Sequence, residues 1–324
     1  SMDAVVARLS EVDAQMRSTG KDDSKALIAW GFDPIYFGGE RMTVEHLDRV
    51  SKTRRIVVTN ANGHMMNVNS AMLRLADITR DNEVEGVVKF QSGANAGEPT
   101  GELQEPAAMF LVVRKIGETG VLAPMTEDGV RSFAALACMQ GVTTATDLVN
   151  RLTDADCKVL ESALADDNCS IRILPAFQAF HGTHGAALGA EHVKGLVSRN
   201  TDRLRYGLVK MMLDGSIQGF SARLRWPGYF NGAPNGIWVT APAQYEADFE
   251  TYHRAGLLIH THTNADEASE AAINAIERVL ARAPRPDHRH TLQHGQMIDA
   301  PRFRLMPTLG VCANVSSKRV WEWG

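Results

Sequence analysis

Hydrophobic positions along the chain follow two periods, and the point where one replaces the other divides it. From about residue 107 onward, short β-branched and aliphatic runs centred near 143, 173, 208, 259, 292 and 312 alternate with stretches whose apolar residues recur every three or four positions. Those intervening stretches predict helices at 133–139, 154–166, 191–199, 242–255, 268–280 and 300–307. Strands and helices in strict alternation predict a parallel sheet with right-handed crossovers. The first hundred residues read differently. Val5, Val6, Leu9, Val12 and Met16 predict a helix over residues 1 to about 30 with a polar break at 18–24, and strands are expected at 26–31 and 55–60. Thr43 is placed to cap a helix with His46 in its first turn, and a helix is expected over 67–75 with Asn69 or Ser70 near its cap. Residues 85–103, with turn composition at 93–101, read as a hairpin.

The stretch 257–268 (LLIHTHTNADEA) passes from an apolar strand through a polar turn into a helix. In an α/β barrel the chemistry sits at the carboxyl ends of strands and in the loops after them, where His262 and Asp266 fall. His260 and His262 share a strand face, with His260 one layer deeper, and Asp266 is expected to cap the helix. A lone histidine is more often a core or surface residue than a ligand, but residues 289–296 end a second strand on His294. Weaker candidates are Asp147 at a strand end and the loop histidines His181 and His184. The long loop 216–238 carries Trp226, Tyr229, Phe230 and Trp238, which either wall an apolar acyl or aryl pocket or pack the loop onto the barrel.

With 324 residues and 44% hydrophobics, the chain has room for one α/β barrel of about 250 residues and an insertion. A net charge of -4 without Lys/Arg runs argues against a nucleic-acid surface and favours a small ligand. Cys138, Cys157, Cys169 and Cys312 form no C-x-x-C pair, which points away from disulfides and zinc fingers and towards a reducing, cytoplasmic setting. No run approaches the roughly 18 apolar residues of a membrane span, and no leader pattern opens the chain, so a soluble protein is expected. Ser1 before Met2 looks like a tag remnant and residues 319–324 stop abruptly, so a piece of a longer protein is expected.

Several pieces together resemble one family: Trp30-Gly31-Phe32-Asp33, Leu47-Asp48, Gly63-His64 with Asn69-Ser70, and Gly97-Glu98-Pro99-Thr100-Gly101-Glu102-Leu103. They continue with Gly141-Val142-Thr143-Thr144 and Asp147, Val209-Lys210 with Asp214-Gly215-Ser216, His262 with Asp266-Glu267-Ala268, and His294-Gly295-Gln296. Each piece is weak, but in this order they resemble the amidohydrolase superfamily, in its amidohydrolase family 3 (YtcJ-like) branch. The resemblance implies a metal-dependent hydrolase on a (β/α)8 TIM barrel, acting on a C–N bond of a small amide or N-substituted formamide through metal-activated water. It implies a divalent metal, usually zinc, held by Lys210, His262 and His294 from the family's fourth, fifth and sixth barrel strands, with Lys210 serving as a ligand once carbamylated. It also places His64 near the substrate. The residue-level alternative for Lys210 is an ion pair with Asp214 or another acid, since an ammonium has no lone pair to give a metal.

The chain departs from that family in one respect. No His-x-His motif precedes residue 260, and the aspartate of the family's eighth strand has no counterpart. The expected organisation is therefore a helical segment at 1–29, an inserted α+β subdomain at 30–105, and an incomplete barrel (strands 2–7) at 106–324. Two unpaired sheet edges would follow, and with them a tendency to form homo-oligomers. The rival reading is a non-catalytic barrel fragment or small-molecule binding module.

Overall fold

The computed structural model describes residues 1–21, 23–38, 40–116, 124–166, 169–179 and 185–315. The chain forms two compact units, one of residues 1–123 with 215–221 and the other of 124–214 with 222–324.

In the first unit, α1 (Met2–Ser18) starts at Ser1, whose hydroxyl caps the Ala4 amide, and buries Met2, Val6 and Leu9. Met2 and Leu9 pack with Leu27 and Phe32 of β1 (Leu27–Phe32) and with Leu47, Ile56 and Val58. Arg54 is fully buried. It pairs with Asp13 of α1 and donates to the Lys21 and Lys25 carbonyls. Thr43 caps α2 (Val44–Asp48), and its backbone N–H donates to His46 Nδ1. Next comes β2 (Ile56–Asn60), which pairs parallel with β1.

The helix expected at 67–75 starts later, because residues 65–68 form a strand. Met65–Val68 is β3, antiparallel to β2 and buried throughout; Asn67 donates to the Met42 carbonyl. The Asn69 side chain then caps α3 (Ser70–Ala76) through the Met72 amide. The expected hairpin is β4 (Val87–Lys89) with β5 (Pro99–Gln104), and α4 (Glu105–Ile116) follows directly. Sheet order is β1-β2-β3-β5-β4. At Gly101 (φ 88) a Cβ would lie 2.3 Å from the Val68 carbonyl oxygen, so only glycine lets β5 approach β3.

Among its described residues the second unit alternates helix and strand: α5 (Glu127–Met139), β6 (Thr144–Asn150), α6 (Asp154–Ala165), β7 (Arg172–Gln178), α7 (Gly185–Leu196) and β8 (Leu208–Met212). After the long loop come α8 (Pro242–Arg254), β9 (Leu258–Thr263), α9 (Asp266–Arg282), β10 (Thr291–His294), α10 (Ala300–Thr308) and β11 (Cys312–Asn314). The sheet runs β11-β10-β9-β8-β7-β6 with every pairing parallel, a curled half-barrel. Helix α7 begins six residues before the expected 191. At Gly189 a Cβ would lie 2.5 Å from the Tyr252 hydroxyl, so this glycine serves the close packing of α7 on α8.

One sheet face carries Val209, Met211, Ile259 and Leu292 into a core with Tyr245, Phe249, Ala272 and Ile276 of the covering helices. That burial is the main stabilising term, at roughly 25 cal/mol per Å² of apolar surface removed from water. The opposite face carries Lys210, His260, His262 and Gln293 among apolar neighbours such as Leu208 and Met212. No helix among the described residues is long and apolar enough to cross a membrane.

Candidate active site

Strand parity sets the polar face. Lys210 and Met212 of β8 lie beside His260 and His262 of β9, and these in turn lie beside Thr291 and Gln293 of β10. Two rows result, Gln178–Lys210–His260–Thr291 below and Met212–His262–Gln293–Asn314 above. Gln293, which sequence reasoning passed over, links them: its amide meets His260 Nδ1 at 2.7 Å and its carbonyl accepts from Asn314 Nδ2 at 2.8 Å. No single-sequence signal marks Gln293, because strand register determines its neighbours.

His262 is 2% exposed and its Nε2 meets Asn264 Nδ2 at 3.1 Å. His294 would by parity face the helices beside Thr263, but its φ of 75 turns the ring back, and it meets the His262 ring edge-on with centroids 4.5 Å apart. A non-glycine residue in this region is uncommon and clusters at functional sites. The following Gly295 donates to the Thr263 carbonyl at 2.8 Å, which fixes the turn.

Lys210 is 3% exposed and has no hydrogen-bonded or ion-paired partner among the described residues. Burial pushes its ammonium down to about 7. His260 is pushed down to about 4, first by burial and then by the Lys210 charge in the same row. The alternative pairing of Lys210 with Asp214 is not what the structure holds. Fully buried Asp214 instead accepts from the backbone amides of Asn264 (2.9 Å), Ala265 (3.0 Å) and Arg223 (3.1 Å), tying the ends of β8 and β9 together.

Asp266 is the first residue of α9 rather than its cap. Ala265 holds the cap position, and the Asp266 carboxylate accepts from the Arg225 amide at 3.0 Å. The loop after β8 is braced in the same way, by Arg223 on Glu267 and Arg225 on Asp299 and Glu270. Trp226 on that loop is 93% exposed; Tyr229 donates its hydroxyl to the Ala222 carbonyl at 2.8 Å. Trp238 packs onto the core under the Arg223 guanidinium, 5.0 Å from its ring centre. Asp147 accepts from Asn150 Nδ2 at 3.0 Å at the end of its own strand. His181 and His184 lie outside the described residues.

His64 belongs to the first unit, in the turn from β2 to β3, and its Nδ1 is 3.0 Å from the Glu105 carboxylate. Glu105 is a second residue that sequence reasoning missed.

The donor set can be tested against a divalent metal. Two imidazoles from adjacent strands converge, and neutral imidazole nitrogen is a good zinc ligand. Among the described residues no group of three His, Cys, Asp or Glu forms a metal cage. A third protein donor must then be of another kind, and a buried, partnerless amine held near neutrality is of the right kind to become a carbamate. The residues fit.

A family model described as the amidohydrolase family matches residues 1–320. The chain belongs to the amidohydrolase family. It is 26% identical over 300 residues to Protein LONG AFTER FAR-RED 3 of Arabidopsis thaliana, a match covering 89% of this chain and 50% of that protein. Among solved structures it resembles an uncharacterized metal-dependent hydrolase from Pyrococcus horikoshii (TM-score 0.57, 17% identity, 97% of this chain and 57% of that one). It also resembles one from Pyrococcus furiosus (TM-score 0.56, 18% identity, 100% of this chain and 60% of that one). At those identities the likeness is one of fold. This amidohydrolase-family chain thus spans 50% to 60% of the length of these three relatives.

Proposed function

We propose that this chain supplies the metal-holding face of a hydrolase that cleaves the C–N bond of a small amide or N-substituted formamide. The observation that carries the reading is the meeting of the His262 and His294 rings, 4.5 Å apart, on the sheet face that also bears Lys210. His262 and His294 would be nitrogen donors to a divalent metal, zinc by the chemistry of the set. Lys210 would add CO2 as a neutral amine, forming an N–C bond and losing one proton, to give a carbamate oxygen donor. When bound, the metal supplies a water whose pKa is lowered towards about 7 and polarises the carbonyl under attack. Gln293 and Asn264 orient the imidazoles of His260 and His262. We assign His64, Trp226 and Tyr229 to substrate contact, the substrate being a small molecule rather than a nucleic acid or membrane, and the setting the cytoplasm. The outermost strands β6 and β11 are where a further strand or a second copy would add.

A non-catalytic binding module is the second reading, and what favours it is that two imidazoles are the ready-made donors among the described residues. Zinc and bicarbonate titration separates the two, followed by assay on N-formyl and N-acyl amides. The proposal expects zinc uptake that requires His262 and His294, and amide hydrolysis that follows it. Uptake indifferent to both histidines would overturn the metal site, and uptake without hydrolysis would leave the binding module.

A further inference from the structure

The second unit gathers cations at the end of its sheet away from the histidines. Ile173 of β7 bridges Leu204 in parallel, its amide donating to the Arg203 carbonyl at 2.8 Å and its carbonyl accepting from the Arg205 amide at 3.0 Å. Ile173 and Leu204 are both buried in the core that α5 and α6 cover. Side chains alternate along extended backbone, so Arg172 beside Ile173, and Arg203 and Arg205 on either side of Leu204, fall together on the other face. There they surround a cavity of about 370 Å³, whose lining is completed by Ile173, Leu174 and Asp202.

Hydrogen bonds fix the frame of this cavity. The Arg172 amide donates to the Thr143 carbonyl at 2.9 Å, and the Thr201 hydroxyl accepts from the Arg203 and Leu204 amides at 3.3 and 3.0 Å. Arg203 is held by its side chain as well, Nη1 donating to the Asp166 carbonyl at 2.7 Å. Arg172 and Arg205, by contrast, have no side-chain hydrogen bond or ion pair among the described residues.

Three guanidiniums against one carboxylate, Asp202, leave an excess of two positive charges around the cavity. Like charges facing one space repel, and an anion placed between them removes that cost. A guanidinium presents its N–H groups as a fixed fork that meets two oxygens of an oxyanion at once, which suits arginine to phosphate. A phosphate dianion matches the excess charge. The volume lies in the lower range of small-molecule sites, and half-buried Leu174 offers an apolar wall. Arg172 opens β7 and Gln178 closes it in the row with Lys210, so the two ends are roughly 20 Å apart at about 3.3 Å per residue. The cavity is therefore separate from the candidate active site at the carboxyl ends of the strands.

We propose that this cavity binds a small phosphate-type oxyanion, free or as the phosphoryl group of a small molecule, through Arg172, Arg203 and Arg205. Calorimetric titration of the metal-free chain with inorganic phosphate, at an ionic strength held constant with sodium chloride, should show saturable uptake. Arg172→Gln and Arg205→Gln change exposed side chains without partners, so both variants should fold. Each should weaken uptake roughly tenfold or more, the scale of a hydrogen bond to a charged group. Arg304→Gln removes an exposed charge on α10 and should leave uptake unchanged, as should Lys210→Met at the other end of the sheet. Phenyl phosphate bound more tightly than inorganic phosphate would assign the cavity to a phosphorylated molecule and the reverse to the free ion, either result upholding the site. No saturable uptake, or equal weakening in Arg304→Gln, would overturn the site and leave a solvated basic patch. Loss of uptake in Lys210→Met would move the anion to the candidate active site, and malonate bound as tightly as phosphate would overturn the phosphate assignment.

Discussion

His294 reaches His262 through a left-handed backbone: at φ 75 its ring leaves the face that strand parity assigns it and closes to 4.5 Å from its neighbour's. The meeting of the two rings thus depends on one residue with an uncommon backbone at a strand end, as the proposed metal site requires. His262→Ala and His294→Ala should each weaken zinc binding by more than the 10- to 100-fold loss typical of outer-shell partners. Competition titration against a chromogenic chelator measures this. Equal affinity in either variant would place the metal elsewhere.

Lys210 gives a prediction whose sign follows from burial. The folded state pushes its ammonium from the ordinary 10.5 to about 7, so the unfolded chain holds the proton more tightly between those values. A depressed folded pKa means stability is lost as pH falls from 10.5 towards 7 and changes no further below. Lys210→Met should therefore be more stable than the parent at pH 7 without metal, by a few kcal/mol, at roughly 1.4 kcal/mol for each tenfold loss of proton affinity on folding. The gap should close towards pH 10. Urea melts at both pH values check it, and added bicarbonate should stabilise the parent but not the variant.

Much of this site was readable one strand at a time, and what was missed is non-local. The β-branched runs and helical spacing placed β6 to β11, and the period of two placed His260 and His262 on one face. Lys210 stood out only through the family resemblance, since a lysine within an apolar strand has no signature of its own. Gln293 acquires meaning from a register that brings it beside His262 and within 2.7 Å of His260. Glu105 is invisible for two reasons, its positive φ and a partner 116 positions away at Ser221. β3 was missed because its four residues 65–68 are too short a run to show a period of two, and its pairing with β2 and β5 is non-local, so the helix was drawn to begin at 67 instead of after the Asn69 cap.

The loop after β8 separates packing from contact. Tyr229 donates to the Ala222 carbonyl, so Tyr229→Phe should lower stability by about 1 kcal/mol, the usual net worth of such a bond. Trp226 is 93% exposed, so Trp226→Ala should leave the melting temperature unchanged. If it contacts substrate, KM for aryl amides should rise several-fold while KM for formamides holds. Identical kinetics on both classes would remove Trp226 from the site.

Acid should weaken the second unit through a chain of neutral imidazoles. His290 Nδ1 accepts from the Ile259 amide at 3.2 Å, which places its hydrogen on Nε2, directed at His253 Nδ1 at 2.8 Å. His253 therefore carries its own hydrogen on Nε2 and donates to the Ala283 carbonyl at 2.8 Å. His288 accepts from the His290 amide at 3.0 Å and donates to the Leu309 carbonyl at 2.8 Å. The three rings join the ends of α8, α9 and α10 to β9 and β10, and each is fully occupied only when neutral. Burial lowers all three, and the guanidinium of Arg285, bonded to the His253 and Leu257 carbonyls, lowers them further. His260 and Phe249 complete the surroundings of His290. With folded pKa values depressed, the stabilisation is whole above the ordinary 6.5 and is lost as pH falls below it, at roughly 1.4 kcal/mol per pH unit for each histidine that must charge. Denaturant unfolding of the metal-free chain should therefore steepen its loss of stability between pH 6.5 and 4.5, and His290→Gln should flatten that slope while lowering stability at pH 7.5. A parent and variant with parallel slopes across this window would show that the imidazole chain does not govern the response to acid.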